Sequence, residues 1–281
     1  MRKRVLNIVG IVLLFIFLTL LTQIGGIVYL LCLPIFMFLK KRIGRPILHI
    51  ALNISVFCIL YAFTTFVIVP PLAEKYGRVP MPYDEMNPNV RQHNRWTVIL
   101  NRHYVVPALR TVTEGVAQKL SASDTSLVVT YLDCNFPFWD DFPLEPHLSH
   151  NNGRKIDLSF MYTDAETQKP TAERPSWLGY GVCEEPRAGE EDRAAFCSEH
   201  GGWQYSFMRN NVISQSLKRQ YPFDAQHTAA MMRFFIADPH VNTVMIEPHL
   251  EKRLGFANQP KVKSPPCNSV RHDDHLHVSI Y

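Results

Sequence analysis

Charged residues are absent from two long stretches near the amino terminus. No Asp, Glu, Lys or Arg occurs at 5–39 or at 46–73, where most residues are apolar. A helix exposed to water needs a polar face, so apolar stretches of this length are typical of membrane-spanning helices. The first stretch would form a helix of about 52 Å, too long for a bilayer core of about 30 Å. We therefore predict two short spans with a turn near 23–26 and a third span at 46–73; one long tilted first helix is the alternative.

Residues 81–281 have no excess of basic over acidic residues. Residues 1–80 carry nine Lys and Arg against one Glu, whereas residues 81–281 carry twenty against twenty-four Asp and Glu. This balance gives no sign of a nucleic-acid-binding surface, so we expect no nucleic-acid partner.

The basic residues near the apolar stretches predict the orientation of the chain. They cluster at 2–4 and at 40–45, on either side of the first stretch. By the positive-inside rule both clusters face the cytoplasm, which predicts a multi-pass protein of the inner (cytoplasmic) membrane, in contact with the lipid bilayer. The remainder then lies on the periplasmic or external side. One long first helix followed by an internal carboxy-terminal domain is the alternative.

The rest of the chain predicts one α+β domain. We divide the protein into a membrane anchor at 1–73, a proline-containing linker at 74–95 and a domain at 96–281. Hydrophobic periodicity indicates helices and strands, with a polar loop at 163–202 and a strand at the carboxy terminus. The helices are predicted near 106–120, 206–219 and 224–236, and the other strands near 126–133, 155–162 and 241–248. The predicted core comprises Leu127, Val129, Ile156, Leu158, Val244, Ile246, Val278 and Ile280.

The sequence also lacks a Cys-x-x-Cys pair, which disfavours a zinc site made of four cysteines. The predicted domain nevertheless has an even number of cysteines, which outside the cytoplasm suggests two disulfides with three possible pairings. The pairing that we favour joins Cys183 to Cys197 and Cys134 to Cys267. Four buried free thiols are the alternative.

Histidines are concentrated in two short segments. In the terminal HLHVSIY, His275, His277 and Ser279 alternate with apolar residues, so a strand places them on one face. Segment 146–157, PHLSHNNGRKID, adds His147, His150 and Asp157, and its Asn-Asn-Gly turn can fold a loop histidine back towards a strand aspartate. Three protein ligands with one open position are the pattern of a catalytic zinc site.

These segments resemble the LAS zinc peptidases, which include lysostaphin-type enzymes, D-alanyl-D-alanine carboxypeptidases and the hedgehog signalling domain. The resemblance rests on SHNNG at 149–153, Asp157 and HLH at 275–277. The most similar branch is that of the penicillin-insensitive murein endopeptidases, which shares His147 and His272. The resemblance covers the two motifs and the order of elements between them, and does not extend to residues 1–95.

The resemblance implies an LAS/hedgehog-like fold and a role for each histidine. The implied Zn²⁺ ligands are His150, Asp157 and His277, and the implied catalytic residues are His275, His272 and His147. Several relatives use a glutamate before the last ligand as the base. Here Asp273 and Asp274 precede His275 instead, so the base is left open between His275, His272 and Asp274.

We therefore expect a membrane-anchored zinc peptidase that hydrolyses peptide bonds of peptidoglycan, as a murein endopeptidase does. Zinc lowers the pKa of bound water towards roughly 7 and so provides a nucleophile. A D-Ala-D-Ala carboxypeptidase and a zinc-holding binding module without turnover are the alternatives. A structural or signalling membrane protein with incidental histidines is a further one.

Overall fold

The computed structural model of the protein describes residues 2–281. The helices are α1 Arg2–Thr22, α2 Gly25–Arg42, α3 Pro46–Phe63, α4 Val69–Lys75, α5 Arg95–Ile99, α6 Pro107–Ser123, α7 Arg193–Glu199, α8 Phe207–Asn211, α9 Ala225–Ala237 and α10 Pro248–Arg253, with a π-helical turn at Thr64–Ile68 and a 3-10 turn at Gln215–Arg219. The strands are β1 Val79–Pro80, β2 Val90–Gln92, β3 Tyr104–Val105, β4 Val129–Tyr131, β5 Lys155–Ser159, β6 Tyr162–Thr163, β7 Pro170–Thr171, β8 Val241–Met245, β9 Val262–Lys263 and β10 His275–Ile280.

The first two helices form a hairpin that turns where the sequence predicts it. Gln23 has a positive φ of 65°, which reverses the chain between α1 and α2. The helices approach closely at Gly26: a Cβ there would collide with Thr19 Oγ1 and with the carbonyl oxygen of Phe15. Glycine is therefore required for this contact between the two helices.

One helix among the described residues is long and apolar enough to cross a membrane. It runs from Pro46 to Lys75 through α3, the π turn and α4, and 11% of its most apolar window is buried in protein. So little burial distinguishes it from the core helix of a soluble domain. Leu6–Thr22 is a shorter apolar helix, and α2 includes three basic residues in its last turn. The structure thus supports one span of the three predicted.

The domain contains a mixed six-stranded sheet with strand order β2-β4-β5-β10-β8-β9. β10 is antiparallel to both β5 and β8, whereas the outer pairs β2–β4 and β8–β9 are parallel. Helices α6 and α9 pack against each other, and their apolar residues join those of the sheet in one core. The predicted α+β class is confirmed, and all eight predicted core residues are buried in this cluster.

Several boundaries differ from the prediction. The predicted helix at 206–219 is divided into α8 and a 3-10 turn, and α10 follows β8 because Pro248 begins a helix as well as it ends a strand. Segment 74–95, predicted to be a linker, contributes β1 and β2. Met81 and Val90 within it are fully buried, so this segment packs as part of the domain.

The cysteine pairing that we favoured is wrong. The disulfide joins Cys197 to Cys267, while Cys134 and Cys183 are buried free thiols. α7 brings Cys197 back to the chain that leads into β10, with the two Cα atoms 5.1 Å apart. The spacing of the cysteines favoured a bond between near neighbours in the sequence. It could not indicate a bond between cysteines that are 70 residues apart.

Peptide mapping tests this pairing. A digest of unreduced protein should contain a peptide that links Cys197 to Cys267. Cys134 and Cys183 should take up a thiol reagent only after unfolding, because both are buried. Unfolded protein treated with the same reagent serves as the control for full labelling of both thiols. A linked peptide containing Cys134 or Cys183 would contradict the structure.

Candidate metal centre

The pairing of β5 with β10 brings the two histidine-containing segments together. His277 on β10 is directly opposite Asp157 on β5, although 120 residues separate them in sequence. Leu276 and Val278 on the other face of β10 are fully buried in the core. Their burial fixes the strand and directs His275 and His277 towards the opposite face, as the alternation predicts.

Three side-chain atoms converge on one point at this face. Asp157 Oδ1 lies 3.1 Å from His150 Nε2 and 2.9 Å from His277 Nδ1, and the two nitrogens are 3.1 Å apart. Ligands of a tetrahedral zinc ion with bonds of 2.0–2.2 Å are separated by ~3.3 Å. One carboxylate and two imidazoles at these separations therefore fit a divalent transition metal.

His150 is held in the tautomer that metal binding requires. Its Nδ1–H donates to the carbonyl oxygen of Cys134 at 2.6 Å, so the lone pair of Nε2 faces Asp157 and His277. Gly153, with φ of +73°, turns the chain after His150 and leads into β5. Glycine is favoured here because other residues are strained at this φ, and a Cβ would also displace the guanidinium of Arg78.

Asp157 is oriented through its second oxygen. Tyr180 O–H donates to Asp157 Oδ2 at 3.0 Å, and His147 Nδ1 lies 3.2 Å from the same oxygen. His147, His150 and Asp157 form a second, looser set of possible ligands, with atoms within 4.8 Å of one another. The atoms of His150, Asp157 and His277 lie closer together than those of this set. If His277 is the third ligand, His147 contacts the Asp157 oxygen that faces away from the ligand histidines.

His275 is adjacent to the three converging atoms and is fixed by Asp274. His275 Nδ1–H donates to Asp274 Oδ1 at 2.5 Å, and the other oxygen of Asp274 accepts from the Gly181 N–H at 2.5 Å. His275 Nε2 is buried without a hydrogen-bond partner, 3.7 Å from Asp157 Oδ1. One nitrogen of this imidazole is therefore held by carboxylate, and the other faces the site.

His272 lies behind this pair, with its ring centre 4.6 Å from that of His275. Its Nδ1–H donates to the carbonyl oxygen of Val270 at 2.8 Å. Its backbone is held by Glu247, whose Oε1 accepts both the His272 N–H at 3.0 Å and the Tyr205 O–H at 2.6 Å.

Burial and neighbouring charges lower the pKa values of two histidines at this site and raise those of a third histidine and of Glu247. Burial, reinforced by His275 and His277, lowers the pKa of His272 well below its usual value. Burial also lowers the pKa of His277, to about 4. Burial opposes the charge on His275, but Asp274 and Asp157 outweigh it and raise its pKa to about 9. Burial and the nearby Asp273 raise the pKa of Glu247 to about 7.

A cleft of about 300 Å³ leads to His147 and His275. Most of its walls are apolar. The 163–202 segment is part of this wall, so it is more than a connector. The apolar wall residues include Trp96, Leu100, Leu132, Leu178, Met208 and Val270.

The sequence motifs did not identify every residue that builds the centre. Tyr180 comes from the long loop, where Gly179 and Gly181 flank it with φ of +87° and +86°. The Gly-Tyr-Gly pattern was the available signal, but it did not show where the loop returns. Asp133 ends a predicted strand and forms a two-bond ion pair with Arg102 at 2.8 and 3.0 Å. An acidic residue at the end of a buried strand was a usable signal.

The six residues proposed from the sequence all lie around this point, while their individual roles stay predictions. No protein-family model matches the chain, and no curated protein matches it. The assignment therefore rests on the geometry and on the motifs themselves.

Metal analysis of the full-length protein tests the ligand set. We expect about one zinc per chain, and His150→Ala, Asp157→Asn and His277→Ala should each lose most of it. His227→Ala is the matched control, because His227 on α9 pairs with Asp224 instead. Full retention of zinc in all three variants would refute the site. Retention in His277→Ala together with loss in His147→Ala would favour the looser set.

Proposed function

We propose that the protein is a membrane-anchored zinc peptidase that hydrolyses peptide bonds of peptidoglycan. The observation that carries the proposal is the convergence of His150, Asp157 and His277 beside the unpartnered Nε2 of His275. The spacing of the motifs, which resembles that of the murein endopeptidases, supports the substrate class.

The site holds the groups that peptide hydrolysis requires. Hydrolysis adds the hydroxyl of water to the carbonyl carbon and a proton to the leaving nitrogen. A zinc ion bound by His150, Asp157 and His277 would supply Lewis acidity, polarising the carbonyl and lowering the pKa of water. His275 Nε2 is placed to carry the proton, because Asp274 holds Nδ1 and fixes the ring.

Tyr180 and His147 hold the ligand carboxylate in position. Burial, together with Asp133 and Asp157, keeps the pKa of Tyr180 well above its usual value, so its hydroxyl stays protonated and donates to Asp157. Asp157 thus directs Oδ1 towards the two ligand histidines while Oδ2 is occupied by donors. Support of this kind keeps ligands oriented in metal sites.

We also propose that the anchor crosses the inner membrane three times and places the domain outside the cytoplasm. The apolar part of α1, Leu6–Thr22, is about 26 Å long, which is close to the thickness of the bilayer core. The exposed apolar surfaces of α1 and α3 support contact with lipid. The basic clusters at 2–4 and 40–45 support the orientation, and the disulfide suits an oxidising compartment.

Digestion of purified murein by the full-length protein in detergent tests the catalytic assignment. His275→Ala should retain zinc while its rate falls by roughly 10²–10⁴-fold, as expected for loss of a general acid–base. His240→Ala is the control, because His240 is exposed and pairs with Asp238.

The products and the rates separate the remaining possibilities. Products that differ only by loss of a terminal alanine would indicate the carboxypeptidase alternative. Zinc binding without products would indicate a binding module. A His275→Ala variant that cleaves at the parent rate would move the role to His272 or Asp274.

Reporter fusions test the topology. Alkaline phosphatase, which works only when exported, should be active when fused after Tyr281, because three crossings from a cytoplasmic amino terminus end outside. The same reporter fused between Arg42 and Pro46 should be inactive. Activity of a cytoplasm-only reporter at Tyr281 would contradict both the topology and the peptidoglycan substrate.

A further inference from the structure

The cleft and the membrane anchor meet at one short helix. Trp96 and Leu100, one helical turn apart on α5 and its C-cap, line the cleft that leads to His147 and His275. The end of the same turn is bound to the anchor, since Tyr61 O–H donates to the carbonyl oxygen of Ile99 at 2.7 Å.

The tip of the α1–α2 hairpin contacts the domain at the same place. Asn101 Nδ2–H donates to the carbonyl oxygen of Thr22 and to the hydroxyl of Tyr61, at 3.4 and 3.2 Å. A second contact joins the Phe138 N–H to Gln23 Oε1 at 2.9 Å. In the proposed topology α1 crosses the bilayer from the cytoplasmic side, so Thr22 and Gln23, at the end of its apolar part Leu6–Thr22, lie near the outer boundary. The cleft rim at Leu100 is therefore within about one helical turn of that boundary.

All four tryptophans are exposed, and two of them lie beside these contacts in the sequence. Trp96 is 64% exposed beside the Ile99–Asn101 contact, and Trp139 is 51% exposed beside the Phe138 contact. Tryptophan is enriched where the bilayer meets water, because its ring is apolar and its N–H is polar. Both are therefore suited to the interface that the proposed topology places at the hairpin tip.

We infer that the cleft opens at the outer surface of the bilayer and receives peptides that are covalently carried by a membrane lipid. This inference rests on the proposed function and topology, and names the substrate class for the same site. The mostly apolar walls suit the part of such a molecule that lies nearest the lipid, and the same cleft leads to His147 and His275. A substrate confined to the membrane reaches this opening by lateral diffusion, which raises its effective concentration there.

The test compares one peptide in two forms. The full-length protein is reconstituted in vesicles of phosphatidylethanolamine and phosphatidylglycerol. It is given a cross-linked murein peptide, either free or coupled through one amino terminus to dioleoylphosphatidylethanolamine. We expect kcat/KM for the lipid-linked form to exceed that for the free form by about tenfold or more. Trp96→Ala should reduce this ratio, whereas Trp203→Ala should not, because Trp203 packs on Phe207 in another segment.

Fluorescence locates the cleft rim independently of activity. Two variants retain a single tryptophan, at Trp96 or at Trp203, with phenylalanine at the other three positions. Lipids brominated near the top of the acyl chain should quench Trp96 strongly and Trp203 weakly.

The outcomes separate the inference from the proposed function. Equal rates for the two peptide forms, or equal quenching of the two tryptophans, would overturn the inference and leave the peptidase assignment intact. No product from either form would overturn the proposed function, and the inferred substrate with it.

Discussion

The antiparallel pairing of β5 with β10 is the constraint on which the site depends. It sets His277 opposite Asp157 across the sheet. A shift of one residue would turn the imidazoles of β10 towards the core and its apolar side chains towards the site. Leu276 and Val278 prevent this shift, because both are fully buried among apolar residues. The hydrophobic core thus determines the positions of the β5 and β10 side chains that face the candidate metal centre.

The parts of the fold that could be predicted from the sequence are those with a regular local pattern. The alternation in HLHVSIY gave both the strand and the face on which His275 and His277 lie, because side chains of a strand alternate strictly. The spacing of apolar residues predicted α6 and α9, because the buried face of a helix repeats every three to four residues.

The parts that could not be predicted depend on contacts between distant segments. Tyr180 reaches Asp157 because two glycines with positive φ turn a long loop back onto the sheet, and loop paths have no periodic signal. The Cys197–Cys267 pairing depends in the same way on where α7 packs. The apolar content of 46–73 indicated a span correctly, but composition alone did not establish how many of the earlier helices also cross.

A candidate site at the end of a chain needs to be held in place, since termini commonly fray. Here the chain is fixed before it enters β10. The disulfide holds Cys267, and the buried Arg271 forms ion pairs with Asp273 and Glu185. Glu247 then binds the backbone of His272 in both directions, accepting its N–H on Oε1 and donating its own N–H to the carbonyl oxygen. Buried charges are stable only when paired in this way. The terminal histidines therefore lie on a strand whose entry, apolar face and two neighbouring strands are all fixed, which gives them the rigidity that a metal site requires.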